Sequence, residues 1–175
     1  GMAALAGSAL LRAATGENAT NSDIGGVEMH SVVTGSVEYL VNDDAESIIT
    51  VRKLIDQLNW NENDAQKTTL NFEDPEYPIE DLVGIVPTDY SKGYDVREVI
   101  ARLVDQSVFI ELKPKYGISM VCAQAKIEGI QCGIIANNGP IDTKGATKAA
   151  QFIQLCDQAN VPCLLYTSPS PRDRQ

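Results

Sequence analysis

Lys126 to Pro162 reads KIEGIQCGIIANNGPIDTKGATKAAQFIQLCDQANVP. An apolar run, Ile130 to Ala136, ends in the polar turn Asn137-Asn138-Gly139-Pro140. A helical pattern follows from Asp142 to Ala159 and carries Lys144 and Lys148. Strand, polar loop and helix in that order are how an α/β fold presents a ligand-facing loop at a strand end. The spacing predicts that the helix buries Ala146, Ala149, Ala150, Ile153 and Cys156, small residues that allow close approach to a sheet.

Upstream, Ile118 to Ala125 reads as the strand before it, and Glu128-Gly129 suits a tight hairpin between the two. Val108 to Leu112 is a further short strand. Asp95 to Val104 predicts a helix with Asp95 as cap, Glu98 as its return partner, and Val96, Val99, Ile100 and Leu103 on the apolar face. This α/β unit opens at Leu82 to Pro87, with a turn over Thr88 to Gly93. Residues 61 to 80, with Pro75, Pro78 and many charges, read as an extended, solvated linker that Trp60 and Phe72 anchor.

Residues 1 to 60 read as a helical segment with loops. Leu5 to Ala14 suggests a strand end followed by a short helix, broken at Thr15-Gly16-Glu17. Ser22 to Gly26 is a turn or short-helix cap, and Thr34-Gly35-Ser36 breaks the chain again. Asp43 to Leu58 is a strong helix. Asp43 and Glu46 form a capping-box pair, and Ile48, Val51, Leu54, Ile55 and Leu58 share one face.

The 175 residues carry a net charge of −10. That balance disfavours nucleic acid, whose phosphates need a basic surface, but leaves room for a coenzyme whose phosphates need only a few local cations. No apolar run approaches the ~20 residues of a membrane span. Of the four cysteines, Cys163 falls in the terminal stretch, while Cys122, Cys132 and Cys156 lie in apolar patterns with no CxxC spacing, which points to buried reduced thiols rather than a metal site or a disulfide framework.

Several segments, in order, resemble the carboxyltransferase (β) subunits of biotin-dependent acyl-CoA carboxylases. The segment 126–162 is similar to the methylcrotonyl-CoA and geranyl-CoA carboxylase branch, with an ANNG-type loop and then Ala149-x-x-Phe152-Ile153-x-Leu155-Cys156. Arg12 to Glu17, the Gly25-Gly26-x-x-x-His30 element with Thr34-Gly35, Leu82 to Asp89, and Tyr94 to Asp105 extend the resemblance from residue 8 to 162. It implies an α/β, crotonase-like ββα superhelix. Residues 1–60 would end one domain, 61–80 would link, and 81–162 would begin a second. It implies transfer of a carboxyl group from carboxybiotin to an acyl-CoA, 3-methylcrotonyl-CoA or a related branched enoyl-CoA, with two backbone oxyanion holes supplying the electrostatics. The alternatives are a propionyl-CoA-type or decarboxylase-type carboxyltransferase, or a non-catalytic scaffold of the same fold. The implied partners are a biotin carboxylase and biotin carrier subunit and further copies of the chain. The implied compartment is the bacterial cytoplasm or the mitochondrial matrix.

The resemblance places the Gly-rich oxyanion loops before residue 1 and after Pro162, so this stretch is expected to hold no oxyanion donor and to be inactive alone. Cys163 to Asp173 matches the translation of a common transposase sequencing adapter, and residues 163–175 are therefore expected to be non-native, the plainer reading being a natural disordered tail of Ser-Pro-Ser-Pro composition. Without Arg172, Asp173 and Arg174 the 14 basic and 24 acidic side chains become 12 and 23, or −11. Gly1 before Met2 suggests a start within a gene. The cleft candidates are Gly25, Gly26, His30, Asn137, Asn138, Gly139, Lys144 and Lys148. Each has a plainer reading: the glycines as packing, His30 as a hydrogen-bonded side chain, Asn137 to Gly139 as a turn, and the two lysines as solvated helix charges. No metal site is expected.

Overall fold

The computed structural model describes residues 1–57, 72–89 and 92–166. Helices α1 (Ser8–Thr15), α2 (Asn21–Gly25), α3 (Val27–Met29) and α4 (Asp44–Asp56) form the first segment. A π-helical turn, His30–Thr34, continues α3 and closes on Gly35, whose φ of 65° suits glycine. After a 3-10 turn, Ile79–Asp81, come α5 (Leu82–Ile85) and α6 (Val96–Ile100). Strands β1 (Phe109–Glu111), β2 (Met120–Ile127), β3 (Ile130–Asn137) and β4 (Cys163–Tyr166) then form a sheet in the order β1-β2-β3-β4, with α7 (Thr143–Gln158) between β3 and β4.

The sheet explains itself from the sequence. β1–β2 and β2–β3 are antiparallel, and Ile127 faces Ile130 across a two-residue turn. Glu128 and Gly129 both have positive φ, 51° and 77°, which matches the strand twist at a tight hairpin. The carboxylate of Asp105 accepts both turn N–H groups, from Glu128 at 2.8 Å and from Gly129 at 2.7 Å. β3 and β4 are parallel, as the α7 crossover requires.

Alternation on the strands splits the core in two. Val121, Ala123, Ala125, Ile134 and Ala136 face α6 through Val96, Val99 and Ile100. Met120, Cys122 and Ile135 face α7 through Phe152 and Cys156. The helices α6 and α7 therefore cover opposite faces of one sheet.

Several expectations need correcting. Helix α7 buries Cys156 and half-buries Ala149 as expected, but it is rotated from its predicted face: Gly145, Lys148 and Phe152 are buried, while Ala146, Ala150 and Ile153 are exposed. Gly145 makes this possible, because a Cβ there would meet Met120 Cγ at 2.8 Å. Helix α6 stops at Ile100, and Glu98 pairs with Arg102 at 2.9 Å instead of returning to the cap. Asp43 does cap α4 by accepting the Glu46 N–H at 2.8 Å, but the Glu46 carboxylate reaches back one residue further, to Asn42 N–H at 2.7 Å. The apolar face of α4 is not covered: Ile48 is 62% exposed and no residue of the helix is buried. Leu5, expected near a strand end, is fully exposed, and the strand pairing there is one bridge between Met2 and Gly26.

Of the supposed linker, 61–71 lies outside the described residues, as do Leu58 and Trp60. The rest is exposed apart from the half-buried Pro75, and touches the fold at a few points. Glu76 N–H donates to Ser107 Oγ at 2.9 Å, and the Tyr77 ring lies 5.2 Å from the Arg102 guanidinium. Phe72, Tyr77 and Leu103 are among the walls of a cavity of about 370 Å³ there. Finally, Cys163–Tyr166, left out of the fold on sequence grounds, forms the parallel strand β4. A short apolar run delivered by α7 to the open edge of β3 satisfies that edge's backbone groups.

Candidate functional site at the end of strand β3

The polar turn after β3 is tied down at both ends. Asn138 N–H donates to Ser119 O at 2.7 Å. Its side-chain Oδ1 accepts the Val96 N–H, the first of α6, at 2.9 Å. Asn137 Nδ2 donates to Gly139 O at 3.3 Å, and Gly139 has a φ of 128° with open space where a Cβ would stand. On the far side, Asp142 caps α7 by accepting the Gly145 N–H at 2.6 Å, and Ser119 Oγ donates to the same carboxylate at 2.8 Å. The Gly145 N–H, then the Ser119 hydroxyl, hold the Asp142 carboxyl below the usual carboxylate range.

Behind the turn lies a charged group that the sequence reading missed. Glu111, on edge strand β1, takes a bidentate grip from Arg97: Nε to Oε2 at 2.7 Å and Nη2 to Oε1 at 3.0 Å. Lys148 Nζ of α7 reaches the same Oε1 at 3.2 Å. Side-chain exposures are 29% for Arg97, 10% for Glu111 and 0% for Lys148. Asp95, 3.1 Å from Arg97, brings the set to neutrality. The hydrogen bonds to Glu111 raise the Arg97 pKa, whereas desolvation lowers that of Lys148 despite the carboxylate. Burial pushes the neighbouring Cys122 thiol up to about 12. Lys148 is thus a buried structural cation, not a solvated helix charge. Two signals were present: an acid inside the apolar strand 108–112, and Lys148 in register with Phe152 and Cys156 at four-residue steps.

The remaining candidates form a second cluster. Gly25 is buried against the chain's own N-terminal stretch, where a Cβ would meet Ala3 O at 2.5 Å. At Gly26 it would meet Ser22 O at 2.5 Å. His30 Nε2 lies 2.7 Å from Ala3 O, and Nδ1 lies 3.1 Å from Thr34 Oγ1 and 3.2 Å from Ser36 Oγ. A carbonyl can only accept, so Nε2 carries the proton and Nδ1 can take one from a hydroxyl. Lys144 joins the clusters: its Nζ donates to Val32 O at 3.3 Å and lies 5.5 Å from the Tyr116 ring centre. Lys144 is exposed, but its ammonium is drawn onto the first segment.

The chain matches the carboxyl transferase domain family over residues 2–167. It belongs to that family. It is 42% identical over 158 residues to the mitochondrial methylcrotonoyl-CoA carboxylase beta chain of Dictyostelium discoideum, covering 90% of this chain and 27% of that one. Its fold superposes on transcarboxylase 12S, a structure described as a hexamer assembly with methylmalonyl-coenzyme A and methylmalonic acid bound, with a TM-score of 0.83 and 31% identity over 98% of this chain and 36% of that one. The beta subunit of Pseudomonas aeruginosa geranyl-CoA carboxylase gives 0.52 at 41% identity, over 97% and 32%. The chain therefore spans about a quarter to a third of the length of the relatives it matches, and its architecture is crotonase-like α/β.

Biotin and coenzyme A do not find a complete cradle in these residues. Gly25, Gly26, His30, Asn138 and Lys148 are each taken up by contacts within the fold, and of the three candidate glycines Gly139 is the one with open space where a Cβ would stand. Among the described residues no cluster of His, Cys, Asp and Glu is arranged to hold a metal ion, and no helix is long and apolar enough to cross a membrane.

Proposed function

We propose that this chain is part of the carboxyltransferase subunit of a biotin-dependent acyl-CoA carboxylase. In this reading the subunit moves a carboxyl group from carboxybiotin to an acyl-CoA, 3-methylcrotonyl-CoA or a related branched enoyl-CoA. The observation that carries it is the family match over residues 2–167 together with 42% identity to a methylcrotonoyl-CoA carboxylase beta chain. Residues 1–60 close one carboxyltransferase domain, 61–80 link, and 81–162 open the next. In this reading residues 163–175 are non-native, although the family match runs to residue 167 and Cys163–Tyr166 forms β4.

The residues in hand supply support rather than chemistry. Asn137 to Gly139 form the strand-end turn facing the cleft, with Asn138 and Asp142 fixing its two ends. Gly25, Gly26 and His30 lock the first segment's turn against the N-terminal stretch. The partners in this reading are a biotin carboxylase and carrier subunit and further copies of the chain, in line with the hexamer described for transcarboxylase 12S. The compartment is the cytoplasm of a bacterium or the mitochondrial matrix.

The test is a full-length subunit recovered from the source locus and combined with its biotin-carrying partner. Bicarbonate incorporation should favour 3-methylcrotonyl-CoA over propionyl-CoA by at least about tenfold in kcat/KM, roughly 1.4 kcal/mol of transition-state binding. No carboxylation of any acyl-CoA would end the reading. The same locus should read differently from CLLYTSPSPRDRQ after Pro162. The 175-residue chain alone should show no turnover with free biotin.

A further inference from the structure

The turn after β3 is anchored to helices on opposite faces of the sheet. Its start belongs to α6, through the Val96 N–H on Asn138 Oδ1. Its end is the cap of α7, through Asp142. Arg97 follows Val96 directly, and Lys148 lies one and a half turns into α7, about 8 Å beyond its first residue. Both side chains end on the one carboxylate of Glu111. Across the sheet, Glu111 is thus the polar link between the two helices that hold the turn.

We propose that Glu111 is a positioning residue, which sets the geometry of the Asn137–Asp142 turn by holding Arg97 of α6 and Lys148 of α7 to a single point. The inference rests on the functional reading above only in taking this turn to face the ligand. The physical reason to separate positioning from bulk stability is the desolvation of Lys148. A buried ionic group is seldom more stable than an apolar set of equal volume, so its contribution is sought in specificity of geometry. The planar guanidinium fork fixes the angle of approach as well as the distance, which a hydrophobic contact does not. A shift of either helix along the sheet would break a directional bond here and move one end of the turn. The hydrophobic packing of α6 and α7 tolerates such slides better, because dispersion contacts are not directional.

The experiment is residue-resolved amide hydrogen exchange on the 175-residue chain, comparing wild type with the double variant Glu111→Leu/Lys148→Met, which removes both buried charges together and leaves Arg97 its Asp95 partner. The amides of Val96, Asn138 and Asp142 should exchange at least about tenfold faster, while Val121 and Ile134 in the sheet core stay within about twofold. Unchanged exchange at the turn would overturn the proposal. So would a parallel rise at turn and core, because that is loss of stability alone. Glu111→Gln, which keeps the shape and loses the charge, is the second variant and is read by the same ratio. In the full-length subunit, Glu111→Gln should raise KM for the acyl-CoA or the biotin donor more than it lowers kcat. An inactive wild-type subunit would sink the functional reading, whereas the exchange ratio in the isolated chain tests Glu111 independently of it.

Discussion

Residues 72–166 and residues 1–57 are held together by different physics. Every buried apolar side chain among the described residues lies between Val96 and Cys156, on the sheet, on α6 and α7, or just beyond α6 and β1 at Val104 and Leu112. In the first segment α2 and α4 carry side-chain N-caps, yet the residues it buries are Gly25, Ser31, Gly35 and Gln57. It meets the sheet region through a polar seam. Lys115 pairs with Glu28 at 3.0 Å, Lys113 with Glu38 at 3.5 Å, and Lys126 with Asp56 at 3.6 Å. The lysine is on the sheet side each time and the acid on the helical side. The Tyr116 ring also covers Gly35, where a Cβ would come within 2.8 Å of Tyr116 Cγ. One region carries its own core. The other carries an apolar stripe on α4 that the described residues leave uncovered. A helical periodicity in sequence therefore reports which face seeks burial, not that burial is supplied.

The sharpest way to break that contrast is a truncation in each region. Phe152→Ala should cost about 3–5 kcal/mol in chemical denaturation, the usual range for emptying a packed aromatic site. A cost under about 1 kcal/mol would mean the sheet core is not what holds the chain. Alkali should also act where Tyr39 of the first segment packs against the sheet core. Burial raises Cys122 from 9.0 to about 12 and Tyr39 from 10.0 to about 12. Each keeps its proton in the folded state after the unfolded chain has lost it. Their stabilisation is therefore full below about pH 9 and is lost as pH rises towards 12. Lys148, shifted down, works in the opposite sense and gains stability over the same approach to 10.5. Thermal midpoints should fall between pH 9 and 11, less steeply in Cys122→Ala and more steeply in Lys148→Met.

The seam should respond weakly and in a salt-dependent way. Lys115→Glu should cost no more than about 1 kcal/mol, because the pair is half exposed. Adding Glu28→Lys should restore most of the loss at low salt and little at high salt. The smallest effect belongs to the uncovered stripe. Ile48→Ser should change stability by less than about 0.5 kcal/mol in this chain. A loss of 2 kcal/mol or more would show that α4 is packed in solution and that the contrast between the regions is false.

Much of the sheet region was legible. The hairpin at Glu128-Gly129, the strands around it and the cap Asp95 follow from local rules, because a two-residue turn and an N-cap are decided by the residues that make them. The rotation of α7 was not legible, since alanines at 146 and 150 fit a buried or an exposed position equally well. Lys148 and Glu111 were misread or missed for a related reason. A charge in an apolar register looks like an error in the pattern until its partner is known, and the partner lies 37 residues away on another element. His30 and the two glycines were found as a motif, but their task depended on Ala3 arriving beside them.

Sequence alone determined the order from α6 through the hairpin to α7, the strand-end turn and the family, since these depend on short-range backbone preferences and on the succession of motifs. Tertiary structure decided which side of each helix is inside, what Asn138 and His30 hold, and that Glu111 joins two helices across the sheet. Those outcomes depend on groups distant in sequence being brought within hydrogen-bond reach, and desolvation makes a charge's position count only once its partner is there.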